Sequence, residues 1–373
     1  MGTYNISPTW NTEVLKSHHG TLPAGDNSSI GTDLTAWNDF KNLLDKSVDG
    51  GQTFSNGIVS TYSLVYTASS AYHGGVLAPN GDIHFVPNSA NRGQKISSDG
   101  TISTYSLVYT LASAYSAGIL SPNGDINFIP YNASVGQKIS ASGVVSTYSL
   151  VYTASTAFIG GVLAPNGDIH FVPCLSPVGQ KISSTGVVST YSLVYTASVA
   201  YVGGVLTPNG DIHFIPYNAV VGQKVSASGV VSTYSLVYTG SALYYGGVLD
   251  PNGDIHFVPL NANRGQKISV NGTVSTYSLV YTTGNSYLGG VLSPNGDVHF
   301  IRLGANRGQK VSASGVVSTY SLVTTGSSYQ GGILAPNGDI HFVPAGSVGQ
   351  KISTGVAIPF DIGTCTSPFL NKF

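Results

Sequence analysis

The chain has 373 residues, a formal net charge of −1 at pH 7, and only 8% charged residues against 42% hydrophobic ones. This near-neutral composition excludes a general electrostatic attraction to nucleic acid or to anionic membranes, and no apolar run reaches the length of a membrane span. Two cysteines, Cys174 and Cys365, have neither the spacing of a disulfide framework nor that of a zinc site, so we expect free thiols and no bound metal.

Residues 1–50 do not resemble the rest of the chain and predict an N-terminal extension. Apolar side chains at helical spacing, among them Trp37 and Phe40, predict one short helix near 33–46. Two interpretations stay open: the apolar stripe packs on the remainder of the protein, or it docks on a partner through Trp10, Trp37 and Phe40. The first residues lack the basic and apolar regions of a secretory signal, so export by that route is not expected.

From residue 51 onward one segment recurs almost unchanged. Its Pro-Asn-Gly-Asp motif is spaced by 43 residues five times and by 42 once, and it begins at Pro79, Pro122, Pro165, Pro208, Pro251, Pro294 and Pro336. Each of these seven copies holds four runs of strand length, which end in turn residues instead of continuing at helical spacing. We name these runs A to D; in the first copy run A is Gly74–Ala78 and run D is Thr101–Thr110.

The A–B turn (Pro-Asn-Gly-Asp) and the C–D turn (Asp-Gly in the first copy) are hairpin signals, so each copy predicts a four-stranded antiparallel meander. A period of this length with four strands is typical of a propeller blade. The sequence therefore predicts an all-β fold: a seven-bladed β-propeller of four-stranded antiparallel blades over residues 51–354, preceded by an extension containing one helix and followed by a tail, 355–373.

The two ends of the repeat region predict how the ring closes. Residues 58–66 form a complete run D with no runs A and B before it, whereas the seventh copy has runs A to C and no clear run D. We expect the N-terminal run to complete the seventh blade, because this pairs the backbone groups of both open edges. Residues 356–362 are the alternative, but Pro359 lacks the N–H that a paired strand donates.

The seven copies differ mainly in the B–C loops and the D–A connections. Both connections emerge on one face of an up-and-down meander, here called the loop face; the A–B and C–D turns emerge on the opposite turn face. Because loops on a rigid scaffold often carry recognition, we hypothesise binding at the loop face, with relaxed constraint on loops as the alternative. The candidate ligand-binding residues are Arg92, Arg264, Arg302, Arg307, His73, Tyr245 and Gln330.

The arginines all fall in the first, fifth and sixth copies and predict a cationic sector suited to carboxylate, sulfate or phosphate groups. The second to fourth copies have Val135, Val178 and Val221 at the equivalent place, which predicts an apolar sector for a protein partner. An Asp-x-His pair recurs in run B of six copies; because an enzyme needs one special constellation, we expect these histidines to bond to Ser, Thr or backbone groups within their own blade. No residue is assigned as catalytic, and no cofactor is expected.

The pattern STYSLVYT, GGVLxPNGDIHFxP and GQKIS resembles tandem repeats in uncharacterised propeller proteins of bacteriophages and some bacteria, over about residues 51–353. The resemblance implies a virion location and attachment to other virion proteins through the N-terminal extension. The expected function is a non-enzymatic virion structural or adhesion protein, such as a tail fibre, that binds a host surface glycan or receptor. The alternatives are a freestanding lectin or cell-surface scaffold, located outside the cell, and an enzyme on a propeller frame; a homo-oligomer stays open.

Overall fold

The structure is a computed structural model that describes residues 58–325, 328–335, 337–344 and 348–353. These residues form 28 strands in seven four-stranded antiparallel sheets and contain no helix, which confirms the all-β seven-bladed propeller. Accordingly, this part of the chain has no helix long and apolar enough to cross a membrane. The helix expected near 33–46 and the tail 355–373 lie outside the described residues.

Each blade is a meander of neighbouring strands, numbered here in chain order. Blade 1 holds β2 (Tyr72–Leu77), β3 (Ile83–Pro87), β4 (Arg92–Ile96) and β5 (Ile102–Ser106); blade 2 holds β6 (Tyr115–Leu120), β7 (Ile126–Pro130), β8 (Val135–Ile139) and β9 (Val145–Ser149); blade 3 holds β10 (Phe158–Leu163), β11 (Ile169–Pro173), β12 (Val178–Ile182) and β13 (Val188–Ser192); blade 4 holds β14 (Tyr201–Leu206), β15 (Ile212–Pro216), β16 (Val221–Val225) and β17 (Val231–Ser235). Blade 5 holds β18 (Tyr244–Leu249), β19 (Ile255–Pro259), β20 (Arg264–Ile268) and β21 (Val274–Ser278); blade 6 holds β22 (Tyr287–Leu292), β23 (Val298–Arg302), β24 (Arg307–Val311) and β25 (Val317–Ser321); blade 7 holds β26 (Tyr329–Leu334), β27 (Asp339–Pro344), β28 (Val348–Ser353) and β1 (Ile58–Ser63).

The apolar core lies between neighbouring blades. Val76 and Val86 of blade 1 pack against Tyr115 and Phe128 of blade 2, and equivalent clusters fill the other junctions. The first strands of the blades stand side by side round the axis, and β26 packs beside β2. Each blade therefore covers the apolar face of the next, and the closed ring leaves no end blade with an uncovered face.

The seventh blade takes its fourth strand from the other end of the repeat region. Strand β1 pairs antiparallel with β28, with Ile58 opposite Ser353 and Ser63 opposite Val348. The two ends of the ring are thus joined by backbone hydrogen bonds. This is the closure that the sequence predicted from the absence of a run D in the seventh copy. Residues 356–362, the alternative closing segment, lie outside the described residues.

A glycine, a tyrosine and a histidine recur as one packing unit within the blades. Gly93 of β4 lies opposite Tyr105 of β5, and a Cβ on Gly93 would lie 2.0 Å from the tyrosine ring. Only glycine lets the ring cross the third strand, and the Tyr105 hydroxyl then lies 3.4 Å from His84 Nδ1 in the second strand. The same contact joins His170 to Tyr191, His213 to Tyr234, His256 to Tyr277 and His299 to Tyr320. These histidines bond to tyrosine within their own blade, where the sequence predicted Ser, Thr or backbone partners, and His256 Nε2 also lies 3.4 Å from Asp250 Oδ2.

An aspartate and a lysine form a second repeated contact, towards the turn face. Lys95 Nζ donates to Asp82 Oδ2 at 2.6 Å, and the Ser98 N–H donates to Asp82 Oδ1 at 3.2 Å. Burial raises the pKa of Asp82, but the bond and charge of Lys95 outweigh it, so the net shift is downward. The equivalent pairs are Lys138–Asp125, Lys181–Asp168, Lys224–Asp211, Lys267–Asp254, Lys310–Asp297 and Lys351–Asp339.

Candidate functional site: the axial pocket

A pocket opens on the ring axis at the loop face, where the first strand of each blade begins. Residues from all seven blades line it, and the space it encloses is about 460 Å³, including the open mouth. The second position of the first strand differs in every copy, and six of these side chains belong to the lining: His73, Ser116, Ile159, Tyr245, Leu288 and Gln330. Three of the predicted ligand-binding residues, His73, Tyr245 and Gln330, therefore meet in one pocket.

Glycine backbones line the deeper part of this pocket. Gly203 has φ of +84°, and a Cβ built on it would lie 2.9 Å from the Cα of Gly246 in the next blade. Six of the seven first strands have glycine at this position and β6 has Ala117, so the strands converge on one axis because these residues are small. The variable side chains at the pocket mouth therefore determine what the axis offers to a ligand.

The pocket presents an imidazole and a phenol side by side. The ring centroids of His73 and Tyr245 lie 6.4 Å apart, at an interplanar angle of 43°. Loss of hydration around His73 lowers its pKa to about 4, so this imidazole is neutral at pH 7. Burial raises the pKa of Tyr245, so its hydroxyl keeps its proton. The pair thus combines a free proton acceptor with a hydrogen-bond donor.

Three residues near Tyr245 were not selected from the sequence: Tyr131, Cys174 and Tyr217. They are the first loop residues after the second strand in blades 2 to 4, and their ionisable groups add to the larger effect of burial in raising the pKa of Tyr245. Tyr217 meets Tyr245 edge to face, with ring centroids 6.2 Å apart. Cys174 is buried, and burial raises the pKa of its thiol to about 11, which disfavours a reactive thiolate. Variation at this loop position was the signal that could have found them.

The predicted arginine sector divides into two kinds of side chain. Arg92, Arg264 and Arg307 are exposed at the start of the third strand in blades 1, 5 and 6. Arg302 is only 3% exposed, because its Nε donates to Ala305 O at 2.6 Å and its Nη2 donates to Thr325 O at 2.9 Å. Arg302 therefore connects a B–C loop and a D–A connection inside the protein. The sequence had predicted it on the ligand-binding surface, and its burial corrects that prediction.

The other predicted contact residues have different outcomes. Val135, Val178 and Val221 are half-buried at the position that the exposed arginines occupy in blades 1, 5 and 6. Trp10, Trp37 and Phe40 lie outside the described residues. Within the described ranges, no group of three or more His, Cys, Asp or Glu side chains is placed to hold a metal ion.

The fold and this site define a seven-bladed propeller with a pocket at one end of its axis that combines polar and apolar side chains. A model of the virginiamycin B lyase family matches residues 67–351, which is more than half of the chain. The chain therefore belongs to the virginiamycin B lyase family.

Solved structures with the same fold include proteins named as streptogramin B lyase or virginiamycin B lyase. A streptogramin B lyase matches with a TM-score of 0.71 and 21% identity, over 81% of this chain and 99% of that one. A catalytically inactive histidine-to-alanine variant of virginiamycin B lyase from Staphylococcus aureus, solved with quinupristin, matches with a TM-score of 0.71 and 19% identity, over 79% and 99%. The WD40 propeller domain of Doa1 matches with a TM-score of 0.61 and 13% identity, over 79% and 97%. At these identities the likeness shows the fold, and no curated protein matches the sequence significantly.

The family membership overturns two expectations from the sequence. The non-enzymatic virion adhesion function was wrong, and so was the assignment as a non-enzyme, because the family is one of lyases. The resemblance to phage propellers is confirmed only as far as the tandem-repeat propeller itself. Nothing in the family or in these relatives links the chain to phage or virion proteins.

Proposed function

We propose that this chain is an enzyme of the lyase class whose reaction centre is the axial pocket. The observation that carries the proposal is the pairing of His73 with Tyr245 at the axis of a virginiamycin B lyase family propeller. The inactive histidine-to-alanine variant was solved with quinupristin, so that relative depends on a histidine. We extend this dependence to His73, and we take quinupristin-like molecules as the substrate class.

A lyase breaks a bond by elimination without adding water, so it needs one group that takes up a proton and one that supports the departing atom. In the proposed reaction His73 takes a proton from a substrate carbon, and the C–H electron pair forms a double bond. The bond to the leaving atom breaks, and that atom receives the Tyr245 hydroxyl proton. Exchange with water then returns the proton from His73 to Tyr245.

The pKa of His73 defines the kind of proton that it can remove. A neutral imidazole with a pKa of about 4 is a weak base, so the substrate must itself make the proton acidic, as next to a carbonyl group. Gln330 and Ser116 belong to the blades on either side of His73 and supply hydrogen bonds that orient the substrate. Ile159 and Leu288 provide apolar contact for the remainder of the molecule.

The test is incubation of the full chain with quinupristin, followed by mass spectrometry. We expect quinupristin to be consumed and the total mass of the products to equal that of the substrate. His73→Gln should lower the rate by about 10²- to 10⁴-fold, because the proton acceptor is lost. Gln330 occupies the equivalent position in blade 7, so the substituted residue fits this backbone.

The matched control replaces a histidine inside a blade. In blade 2 Asn127 stands at the histidine position, and its Nδ2 donates to Ser121 Oγ at 2.6 Å. Blade 6 has Ser293 at the place of Ser121, so His299→Asn reproduces this arrangement and should leave the rate unchanged. Intact quinupristin, products with the mass of one water added, or full activity of His73→Gln would each contradict the proposal.

A further inference from the structure

The loop face carries positive charge only. Its seven B–C loops and seven D–A connections contain arginine but no aspartate, glutamate or lysine. The lysines of the blades are neutralised by aspartates towards the turn face, as the seven Lys–Asp pairs show. Within the described ranges no ion pair involves Arg92, Arg264 or Arg307. In the part of the chain that the structure describes, three arginines without an ion pair thus lie on one face of a protein whose net charge is −1.

Among the described residues, these three arginines contribute to the blades through their backbones, in the same way as the valines of the sibling copies. Arg92 pairs with Ser106 on the neighbouring strand, and Val135 pairs with Ser149 in the same register. The main-chain carbonyl of Arg92 accepts a hydrogen bond from the Tyr72 hydroxyl, just as that of Val135 accepts one from its own blade. Since valine serves equally well in this frame, packing of the blade does not explain the choice of arginine.

A neighbouring phenol responds to its hydrogen bonds and, to a smaller extent, to the arginine charges. Hydrogen bonds from Thr283 and from the Asn306 N–H, together with the charges of Arg302 and Arg307, lower the pKa of Tyr281. This tyrosine is half-exposed at the loop face beside Arg307. The surroundings of Arg307 therefore favour negative charge at a solvent-accessible position.

Exposed apolar side chains accompany the arginines. Val65, Val237 and Val280 are each more than 60% exposed where the fourth strands of blades 7, 4 and 5 end at the loop face, beside the third strands that carry the three arginines. The equivalent valines of the other four blades are about as exposed. A surface that combines arginine, tyrosine and apolar side chains and lacks lysine and acids has the composition of a protein interface. Nucleic-acid binding, in contrast, typically uses about 6 to 10 phosphate contacts, more than three separated arginines supply.

We propose that blades 5, 6 and 1 present a docking surface for an acidic protein partner, with Arg92, Arg264 and Arg307 bound to its carboxylates. Guanidinium groups bind carboxylates through two parallel hydrogen bonds, and the exposed valines contact apolar side chains between them. This surface lies at a greater radius than the axial pocket, so partner binding is independent of the proposed reaction.

The test measures binding of poly-L-glutamate to the full chain by fluorescence anisotropy at two salt concentrations. We expect binding that weakens with salt, and a loss of about tenfold in affinity in the triple variant Arg92→Val, Arg264→Val and Arg307→Val. Valine is the residue of the sibling copies, and an unchanged melting temperature verifies that the variant folds. Equal affinity of the triple variant, or no binding by the original chain, would overturn the proposal.

A second variant separates local recognition from net charge. Ser142, Thr185 and Ser228 are exposed in the C–D turns of blades 2 to 4, on the turn face. Arginine at these three positions should leave the affinity for poly-L-glutamate unchanged, because the added charges lie on the opposite face. If the turn-face variant binds poly-L-glutamate more tightly than the original chain, binding depends on net charge and the proposed surface is contradicted. Tighter binding of duplex DNA than of poly-L-glutamate would contradict it as well.

Discussion

The two faces of the ring differ in how closely their seven copies agree. Towards the turn face every copy repeats the same Pro-Asn-Gly-Asp turn and the same Lys–Asp pair. At the loop face the side chains beside the axis are His73, Ser116, Ile159, Val202, Tyr245, Leu288 and Gln330, no two of them alike. The comparison teaches that contacts needed by every blade are kept in all copies, and that differences gather where the fold does not require a particular side chain. Changes on the turn side should therefore reduce stability, whereas changes on the loop side should affect binding and can even raise stability.

Acid should destabilise the protein more than any single substitution, because it acts on the buried histidines of several second strands at once. Burial lowers the pKa of His84, His170, His299 and His341 to about 4, whereas an unfolded histidine titrates near 6.5. Above about pH 6.5 these histidines are neutral in both the folded and the unfolded chain. Below that pH the unfolded chain binds protons that the folded chain does not, so the free energy of unfolding falls as the pH drops from about 6.5 to about 4. We expect the melting temperature to decrease over this range. His299→Asn should reduce the slope, and a melting temperature that stays constant would contradict the buried, neutral state.

A smaller loss should follow when one ion pair near the turn face is broken. Lys181 Nζ lies 2.6 Å from Asp168 Oδ2, and the Ser184 N–H donates to Asp168 Oδ1. Asp168→Ala should lower the free energy of unfolding by about 1–3 kcal/mol, because both donors lose a buried partner. Urea unfolding of this variant, of Lys181→Met and of the double variant should give a coupling energy above about 0.5 kcal/mol. If the losses of the two single variants simply add up in the double variant, the contact between Lys181 and Asp168 does not itself stabilise the blade.

The loop face, in contrast, should offer room for stabilisation. Val199 has φ of +48° in a D–A connection, a left-handed conformation that is unfavourable for a β-branched residue. Asn285 occupies the equivalent position in blade 6 with φ of +51°. Val199→Asn should therefore raise the free energy of unfolding by about 1 kcal/mol, as measured by urea titration. Asn285→Val is the reverse control and should lower it; equal stability of all three proteins would show that this connection relaxes without strain.

The sequence named His73, Tyr245 and Gln330 as candidate ligand-binding residues, but it did not show that they form one site, because the proposed reaction centre has no local motif. Each of its residues comes from a different blade, and in the sequence each appears only as variation at one position of the repeat. The six Asp-x-His pairs were the conspicuous titratable groups, yet five of their histidines bond to tyrosine hydroxyls within their blades. His73, which no motif marks, is the described histidine that lies at the axis.

The sequence by itself determined the blade, the number of blades and the origin of the closing strand. These follow from local features: turns at a 43-residue spacing, strand-length runs between them, and a run D at residues 58–66 without its own runs A and B. Only the tertiary structure decided that His73 and Tyr245 meet, that Arg302 is buried and that Tyr105 crosses Gly93 to reach His84. Turn chemistry and strand periodicity act over a few neighbouring residues, whereas side chains from distant blades come together only when the closed ring brings their first strands to a common axis.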